Sequence, residues 1–202
     1  MHEKAADSNS HRKDKTVIQE LTPRVLDDFL NFFDHEAFAD NPSWFGCYCM
    51  YYHFTGTGGE WEKRSPSENR DAISVLIKNG KAHGLLAYVD GRPVGWCHAA
   101  PRTAIPRLKL HREFSVEDPE RVGSIVCFVI AKPYRGMGIA HRLLDAACKM
   151  FTRQGLAFAE AYPRKRTESD ADNFPGPLKM YLDAGFTVFR ELERYVIVRK
   201  PL

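Results

Sequence analysis

Two glycines, Gly136 and Gly138, lie between an apolar run and a helical pattern in the stretch CFVIAKPYRGMGIAHRLLDAA, which begins at Cys127. The first N–H groups of a helix have no intrahelical partner, and the helix dipole adds partial positive charge at the same end. Glycine lets a ligand approach the backbone closely, so this turn could hold a phosphate. A tight strand-to-helix turn with no ligand explains the pattern equally well.

The turn lacks the residues of two well-known phosphate-binding loops. No Gly-Lys-Ser/Thr follows Gly138, which excludes a P-loop. The single glycine pair has no suitably spaced acidic residue, which excludes the dinucleotide fingerprint. If the turn binds an anion, backbone N–H groups would therefore provide most of the contacts.

The elements around the turn predict one α/β domain. The apolar residues 125–131 indicate a strand that is covered on both faces. Ser65 and Glu68 form a capping-box pattern at the start of a helix, and Asp90-Gly91 indicates a hairpin turn. The predicted order is β-α-α-β-β-β-α-β-α-β-β, which is typical of a mixed sheet with helices.

In two segments the apolar residues show neither helical nor strand periodicity. The aromatic segment 41–61 is predicted to be irregular or a short helical turn that ends in a flexible glycine loop. The proline-rich segment 100–120 is predicted to be a long loop, and long loops in compact domains are often functional.

Composition limits the class of protein. With 44% hydrophobic and 27% charged residues, the chain resembles an ordinary soluble globular protein. A net charge of +3 does not indicate a nucleic-acid partner, and no apolar run is long enough for a membrane span. Residues 1–15 are predicted to be a disordered polar tail without the apolar core of a signal peptide, followed by a domain at 16–202. Five scattered cysteines favour the reducing cytoplasm.

The glycine turn and its flanks resemble the acetyl-CoA-binding segment of the GCN5-related N-acetyltransferases. In that family, a strand leads into Arg/Gln-x-x-Gly-x-Gly/Ala and a long helix, and Arg135, Gly138 and Ala140 occupy these positions. Near the C-terminus, YLDAGF is similar to the family's pattern of a helical tyrosine, Tyr181, followed by Gly-Phe. The resemblance covers approximately residues 17–200.

The resemblance implies a single α/β domain with a mixed, mostly antiparallel central sheet, flanked by helices, in which a splayed strand pair binds acetyl-CoA. The pyrophosphate would bind the N–H groups of 136–140, and the pantetheine arm would pair with 127–130 as an added strand does. An N–H of Phe128 or Val129 would stabilise the oxyanion. The implied acetyl-CoA contacts are Phe128, Val129, Ile130, Arg135, Gly136, Met137, Gly138, Ile139 and Ala140.

The implied activity is transfer of an acetyl group from acetyl-CoA, as co-substrate, to a primary amine. The amine of a small molecule or peptide would attack directly in a ternary complex, aided mainly by positioning. Alternatives are a non-catalytic acyl-CoA-binding regulatory module and an acetyltransferase for protein lysines or N-termini. A homodimer is a further possibility.

The catalytic candidates are Tyr181 and Glu160. The resemblance implies that Tyr181 donates a proton to the departing thiolate, although it could instead anchor its helix by packing. Relatives often carry an Asn and an Ala ahead of this tyrosine, whereas this chain has NFPGPLKMY. Glu160, in an apolar strand, is a candidate base, and the alternative is an inward carboxylate paired with an arginine. His98 is a further candidate, which could face a pocket or form structural hydrogen bonds.

Cys47, Cys49 and His53 could provide half of a zinc site, but no second pair of ligands is apparent, so no metal is expected. Their aromatic neighbours suggest a wall over the acceptor amine, with core packing as the alternative. The aromatic residues of this proposed wall are Trp44, Tyr48, Tyr51 and Tyr52.

Overall fold

Seven strands form one sheet in the order β1-β2-β3-β4-β5-β7-β6, in a computed structural model that describes residues 16–202. Only β4 and β5 are parallel; every other neighbouring pair is antiparallel. This confirms the predicted mixed, mostly antiparallel sheet. The predicted tail, 1–15, lies outside the described residues. The strands are β1 (Thr16–Glu20), β2 (Leu85–Val89), β3 (Arg92–Pro101), β4 (Val122–Ile130), β5 (Phe158–Ala161), β6 (Thr187–Glu191) and β7 (Val196–Pro201).

Helices cover both faces of this sheet, as its apolar strands require. The helices are α1 (Leu26–Asn31), α2 (Gly58–Glu62), α3 (Pro66–Lys78), α4 (Pro106–Leu110), α5 (Ile139–Arg153) and α6 (Leu178–Asp183). On one face, α5 buries Leu143, Ala147 and Phe151 in the same core as Phe128. On the other face, α1 and α3 pack with Trp96 and the strand residues beside it. None of the described helices has the length and apolar character needed to cross a membrane.

The start of α3 follows its sequence signal. Ser65 Oγ accepts a hydrogen bond from the Glu68 N–H, and the Glu68 carboxylate accepts one from the Ser65 N–H. The predicted hairpin is also present, with Asp90 and Gly91 both at positive φ between β2 and β3. Local hydrogen bonding and turn chemistry therefore determine these two features.

Other local predictions need correction. The glycine loop predicted to be flexible contains α2, because Thr57 and Glu60 form a second capping box. The sequence pattern after Thr22, with Pro23 next and apolar residues at helical spacing, predicts one helix. The structure instead has a 3₁₀ turn, α1 and a π turn at Phe32–Glu36, and the Thr22 side chain makes no capping hydrogen bond. The long loop after β3 contains α4 and short 3₁₀ turns.

The parallel pair β4 and β5 opens along its length. Residues 122–125 of β4 pair with 158–161 of β5, and β5 then ends while β4 continues to Ile130. The backbone of 126–130 therefore lies at an open edge inside the sheet. The glycine turn and α5 follow directly after this open edge.

Candidate active site

A cavity of about 1400 Å³ lies against the open edge of β4. The end of β4 and the glycine turn form one wall. The lining also contains Tyr51, Tyr52, Trp61 and Arg107. One cavity thus joins the predicted cofactor residues to the aromatic segment that was predicted to contact the acceptor.

The glycine turn has the geometry of an anion-binding loop. Gly136 and Gly138 both have φ of 77°, a left-handed conformation that favours glycine. A Cβ placed on either glycine would meet nothing within 4 Å, so the backbone is open to a ligand. Gly138 caps α5 without a side-chain hydrogen bond, and the first turn of α5 has no acidic residue. The N–H groups at this end are available to an anion.

Arg135 braces the turn from the side. Its Nε donates to the Ile130 carbonyl at 3.0 Å, and its two Nη atoms donate to the Asp40 carboxylate at 2.7 and 2.9 Å. The hydrogen bond from Arg135 is the main reason that the pKa of Asp40 is lowered. Arg135 therefore connects β4, the turn and the segment after α1. Of the predicted cofactor residues, all except Met137, whose side chain is exposed, line the cavity.

The register of β4 distinguishes the two candidate oxyanion donors. The Ala131 N–H donates to Val94 of β3, so the N–H of Val129, two residues earlier, also points towards β3. The Phe128 N–H points towards the open edge, where it donates to the Phe174 carbonyl at 2.6 Å. Phe128 is therefore the candidate that a substrate in the cavity could reach.

Tyr181 lies beside the same segment as Phe174. The side chain is fully buried, and its hydroxyl donates to the Pro175 carbonyl at 2.5 Å. Burial raises the pKa of Tyr181 well above its usual value, which keeps the phenol protonated. A Cβ on Gly176 would lie 2.9 Å from the Tyr181 hydroxyl oxygen, so this segment packs closely on the tyrosine. Segment 174–176 thus binds both the Phe128 N–H and the Tyr181 hydroxyl.

Glu160 has the paired environment that was the alternative to a base. It is fully buried, and its carboxylate accepts from Arg199 Nε at 2.8 Å and lies 3.6 Å from Arg102 Nη1. The Tyr162 hydroxyl is 3.2 Å away. Tyr162 lines the cavity, whereas Glu160 does not belong to its lining. The assignment of Glu160 as a base stays a prediction, and this geometry favours a structural ion pair.

Cys49 and His98 form a buried contact that the sequence did not predict. Cys49 Sγ is 3.2 Å from His98 Nδ1, and the ring of His53 stacks on His98 at 5.1 Å. Burial would raise the pKa of Cys49, but the hydrogen bond with Cys127 and the charge of His98 lower it well below its usual value. Burial also lowers the pKa of His53 to about 3. Within residues 16–202, no group of three or more His, Cys, Asp or Glu could hold a metal ion.

Three of the four aromatic residues predicted to form the acceptor wall line the cavity, and Tyr48 does not. Trp44, Tyr51 and Tyr52 line the cavity. Tyr48 lies in the core instead, where its ring is 5.8 Å from that of Phe33 and its hydroxyl donates to Asp34. Tyr48 is thus a case of the core-packing alternative.

Arg107 is one of the cavity residues that sequence reasoning missed. Arg107 is the second residue of α4, and its guanidinium carbon is 4.3 Å from the centre of the Tyr51 ring. Its partners are more than fifty residues away in sequence, at Tyr51, Phe54 and Gly56. The only signal was the length of the loop that contains it.

A comparison with family models matches more than half of the chain. The model described as "Acetyltransferase (GNAT) family" matches residues 33–172, which include the open strand and the glycine turn. The chain belongs to this family. Family membership confirms the predicted enzyme class for this GNAT chain, an acyltransferase that uses acetyl-CoA as its co-substrate. A comparison with curated proteins found no match.

Solved structures share the GNAT fold at low sequence identity. The PaiA N-acetyltransferase of Thermoplasma acidophilum, in complex with coenzyme A, has a TM-score of 0.53 and 13% identity over 93% of this chain and 99% of its own. The GNAT domain of PAT from S. lividans gives 0.56 and 14%, covering 92% and 89%. The ribosomal-protein-alanine N-acetyltransferase of Brucella melitensis gives 0.53 and 14%, covering 92% and 99%. At these identities the similarity shows the fold alone.

Proposed function

We propose that this GNAT enzyme transfers the acetyl group of acetyl-CoA to the primary amine of a small molecule or peptide, with both substrates bound together. The observation that carries the proposal is a single cavity that contains the open edge of β4, the glycine turn and an aromatic wall. The similar PaiA structure was obtained with coenzyme A, which supports the same cofactor here.

In this proposal the pyrophosphate binds the N–H groups of 136–140. Both glycines leave the backbone open, and no acidic side chain of the first turn of α5 competes for these groups. Helix N-termini attract anions through these N–H groups and the dipole. Arg135 holds the turn in place through Ile130 and Asp40.

The thioester carbonyl would accept a hydrogen bond from the Phe128 N–H. As the amine attacks, negative charge develops on that oxygen, and a donor already fixed in β4 stabilises it. The Phe174 carbonyl now accepts from this N–H, so the acyl chain would take the place of Phe174. The same displacement would release the Tyr181 hydroxyl from Pro175.

Tyr181 would then protonate the departing thiolate. The attacking nitrogen would lose a proton to water, and water would return a proton to the Tyr181 phenolate. A phenol with a raised pKa stays protonated at neutral pH and can supply its proton as the C–S bond breaks. Glu160 keeps a structural role in this scheme, because two arginines already compensate its carboxylate. Rate enhancement would come mainly from positioning the amine against the thioester.

Release of free CoA in the presence of a panel of amines tests this function. We expect release that depends on the amine, together with an N-acetylated product detected by mass spectrometry. The panel includes diamines, amino acids, amino sugars and short peptides with a free N-terminus or lysine. Binding of acetyl-CoA without turnover on any amine would contradict the proposal and indicate a regulatory acyl-CoA-binding module. Turnover only on protein substrates would indicate a protein acetyltransferase.

A further inference from the structure

Arg107 is a buried cation whose identified partners are neutral. Its side chain is 8% exposed. Nη1 donates to the carbonyls of Phe54 and Gly56 at 3.3 and 3.0 Å, and Nη2 donates to the Tyr51 hydroxyl at 3.2 Å. In the part of the chain that the structure describes, no carboxylate forms an ion pair with Arg107.

Other arginines near the cavity are compensated differently. Arg102 pairs with Glu160, Arg135 with Asp40, and Arg164 with Asp172. A buried charge is costly unless an opposite charge or a full set of hydrogen bonds compensates it. The Tyr51 ring face offsets part of this cost through a cation–π contact, but it brings no negative charge.

The hydrogen-bond inventory of Arg107 shows which donors remain. A guanidinium has five N–H donors, and three of them are used by Phe54, Gly56 and Tyr51. Nε is buried and has no partner in the structure. Nε and one Nη2 hydrogen therefore have no described partner. The Nε–Nη2 edge of a guanidinium is one that can bind the two oxygens of a carboxylate.

A second arginine of the cavity, Arg64, also has only neutral described partners. Arg64, which lines the same cavity, has its guanidinium over the Phe54 ring at 5.4 Å and donates to the Asn69 side chain and the Glu68 carbonyl. Glu62 and Glu113 also line the cavity but form no described ion pair with either arginine. The acceptor side of the cavity therefore holds two guanidinium groups whose described partners are neutral.

We propose that the acceptor is an amine that also carries a carboxylate, and that Arg107 binds this carboxylate. The inference rests on the proposed function and adds the substrate class. A carboxylate at Arg107 would fix one end of the acceptor while its amine reaches the thioester. Such an anchor would distinguish amino acids and related amino-carboxylates from polyamines, which carry no anion.

Matched acceptors test the proposal directly. We would compare kcat/KM for glycine, 4-aminobutanoate and 6-aminohexanoate with kcat/KM for the corresponding amides, and include phosphoethanolamine as a phosphate-bearing amine. At the chain length that fits, we expect the acid to exceed its amide by roughly ten- to a hundredfold, the range for hydrogen bonds to a charged group. Equal use of acids and amides at every length would overturn the inference. A preference for phosphoethanolamine would overturn the assignment of a carboxylate.

Variants separate recognition from structural support. Arg107→Gln should reduce the acid-to-amide ratio towards one by raising KM for the acid. Arg107→Lys keeps the charge but loses the planar fork, so it should retain part of the ratio. Arg112→Gln removes the same charge from an exposed neighbour that does not line the cavity, and should keep the ratio. Equal losses on acid and amide in both Arg107 variants would mean that Arg107 only supports the loop at Phe54 and Gly56.

The outcomes also separate this inference from the proposed function. If amines without a carboxylate are acetylated as well as the corresponding acids, only the inference fails. If no amine of any class is acetylated, the proposed function and the inference fail together. Thermal unfolding of each variant, measured alongside, shows whether a loss reflects folding.

Discussion

The two halves of the cavity are built in different ways. The cofactor half consists of backbone groups from one continuous stretch, the end of β4 and the glycine turn. The acceptor half consists of side chains from separate segments, including Tyr51, Trp61 and Arg107. A backbone site depends on local conformation, whereas a side-chain site depends on how distant segments pack.

This difference has a consequence for function. Backbone N–H groups recognise phosphate and carbonyl oxygens that every acyl-CoA carries, so the cofactor half suits a shared co-substrate. Side chains can differ in charge and shape from one protein to another on the same fold, so in the proposed function the acceptor half would set specificity. Mutations in the two halves should therefore have distinguishable effects.

The largest effect is expected at the glycine turn. Gly138→Glu should abolish detectable acetyl-CoA binding, because it places a carboxylate at the helix start where the pyrophosphate would bind, and like charges in contact cost several kcal/mol. Gly155→Glu is a matched control, since Gly155 has φ of 73° and an equally open Cβ position after α5. Calorimetry should show lost affinity only in the first variant. Unchanged affinity in a folded Gly138→Glu protein would refute the phosphate site.

A smaller effect is expected at the proposed acid. Tyr181→Phe should lower kcat by about ten- to ten-thousandfold and change acetyl-CoA affinity little, because only the proton donor is lost. Loss of the hydrogen bond to Pro175 should also cost about 1 kcal/mol of stability. Tyr88→Phe removes another buried hydroxyl, one bonded to Asp28, and should retain kcat. Wild-type turnover in Tyr181→Phe, when chemistry limits the rate, would make Tyr181 a packing residue.

Glu160 should affect stability rather than chemistry. Glu160→Gln leaves Arg102 and Arg199 without their carboxylate, which should cost about 3 kcal/mol of unfolding free energy. The fraction of the Glu160→Gln protein that stays folded should have the wild-type kcat. The exposed Glu193 provides a control, since Glu193→Gln should leave the free energy of unfolding unchanged within about 0.5 kcal/mol. A stable Glu160→Gln protein with low kcat would restore Glu160 as the candidate base.

The features predictable from sequence are those set by neighbouring residues. The capping box of α3, the hairpin at Asp90-Gly91 and the glycine turn each follow from a few consecutive residues. The family resemblance added the sheet arrangement and the use of acetyl-CoA, which local patterns alone do not contain.

The features that sequence could not predict depend on long-range packing. The Arg107 contacts join residues more than fifty positions apart, and the Cys49–His98 contact joins residues 49 positions apart. Tyr48 and Tyr51 belong to the same aromatic run, yet one lies in the core and the other lines the cavity, because irregular backbone gives no fixed periodicity. The hydrogen bond from the Phe128 N–H of β4 to the Phe174 carbonyl could be found only from the three-dimensional structure.

The smallest effect should report movement of Phe174. Its ring centre is 5.3 Å from that of Trp44, so displacement of Phe174 by the acyl chain should change the fluorescence of Trp44. Titration with acetyl-CoA should give a saturable change that is reduced in Trp44→Phe. A change of the same size in Trp44→Phe would assign the signal to Trp61 or Trp96 and contradict the displacement.

Acetyl-CoA should bind through the backbone of the open strand and the glycine turn. NMR amide chemical shifts, followed during titration with acetyl-CoA, measure this contact at each residue. We expect the largest changes at Phe128 and at residues 136–140, with the Gly155 amide shift unchanged. Saturable binding with unchanged amide shifts at Phe128 and 136–140 would show that the cofactor binds elsewhere.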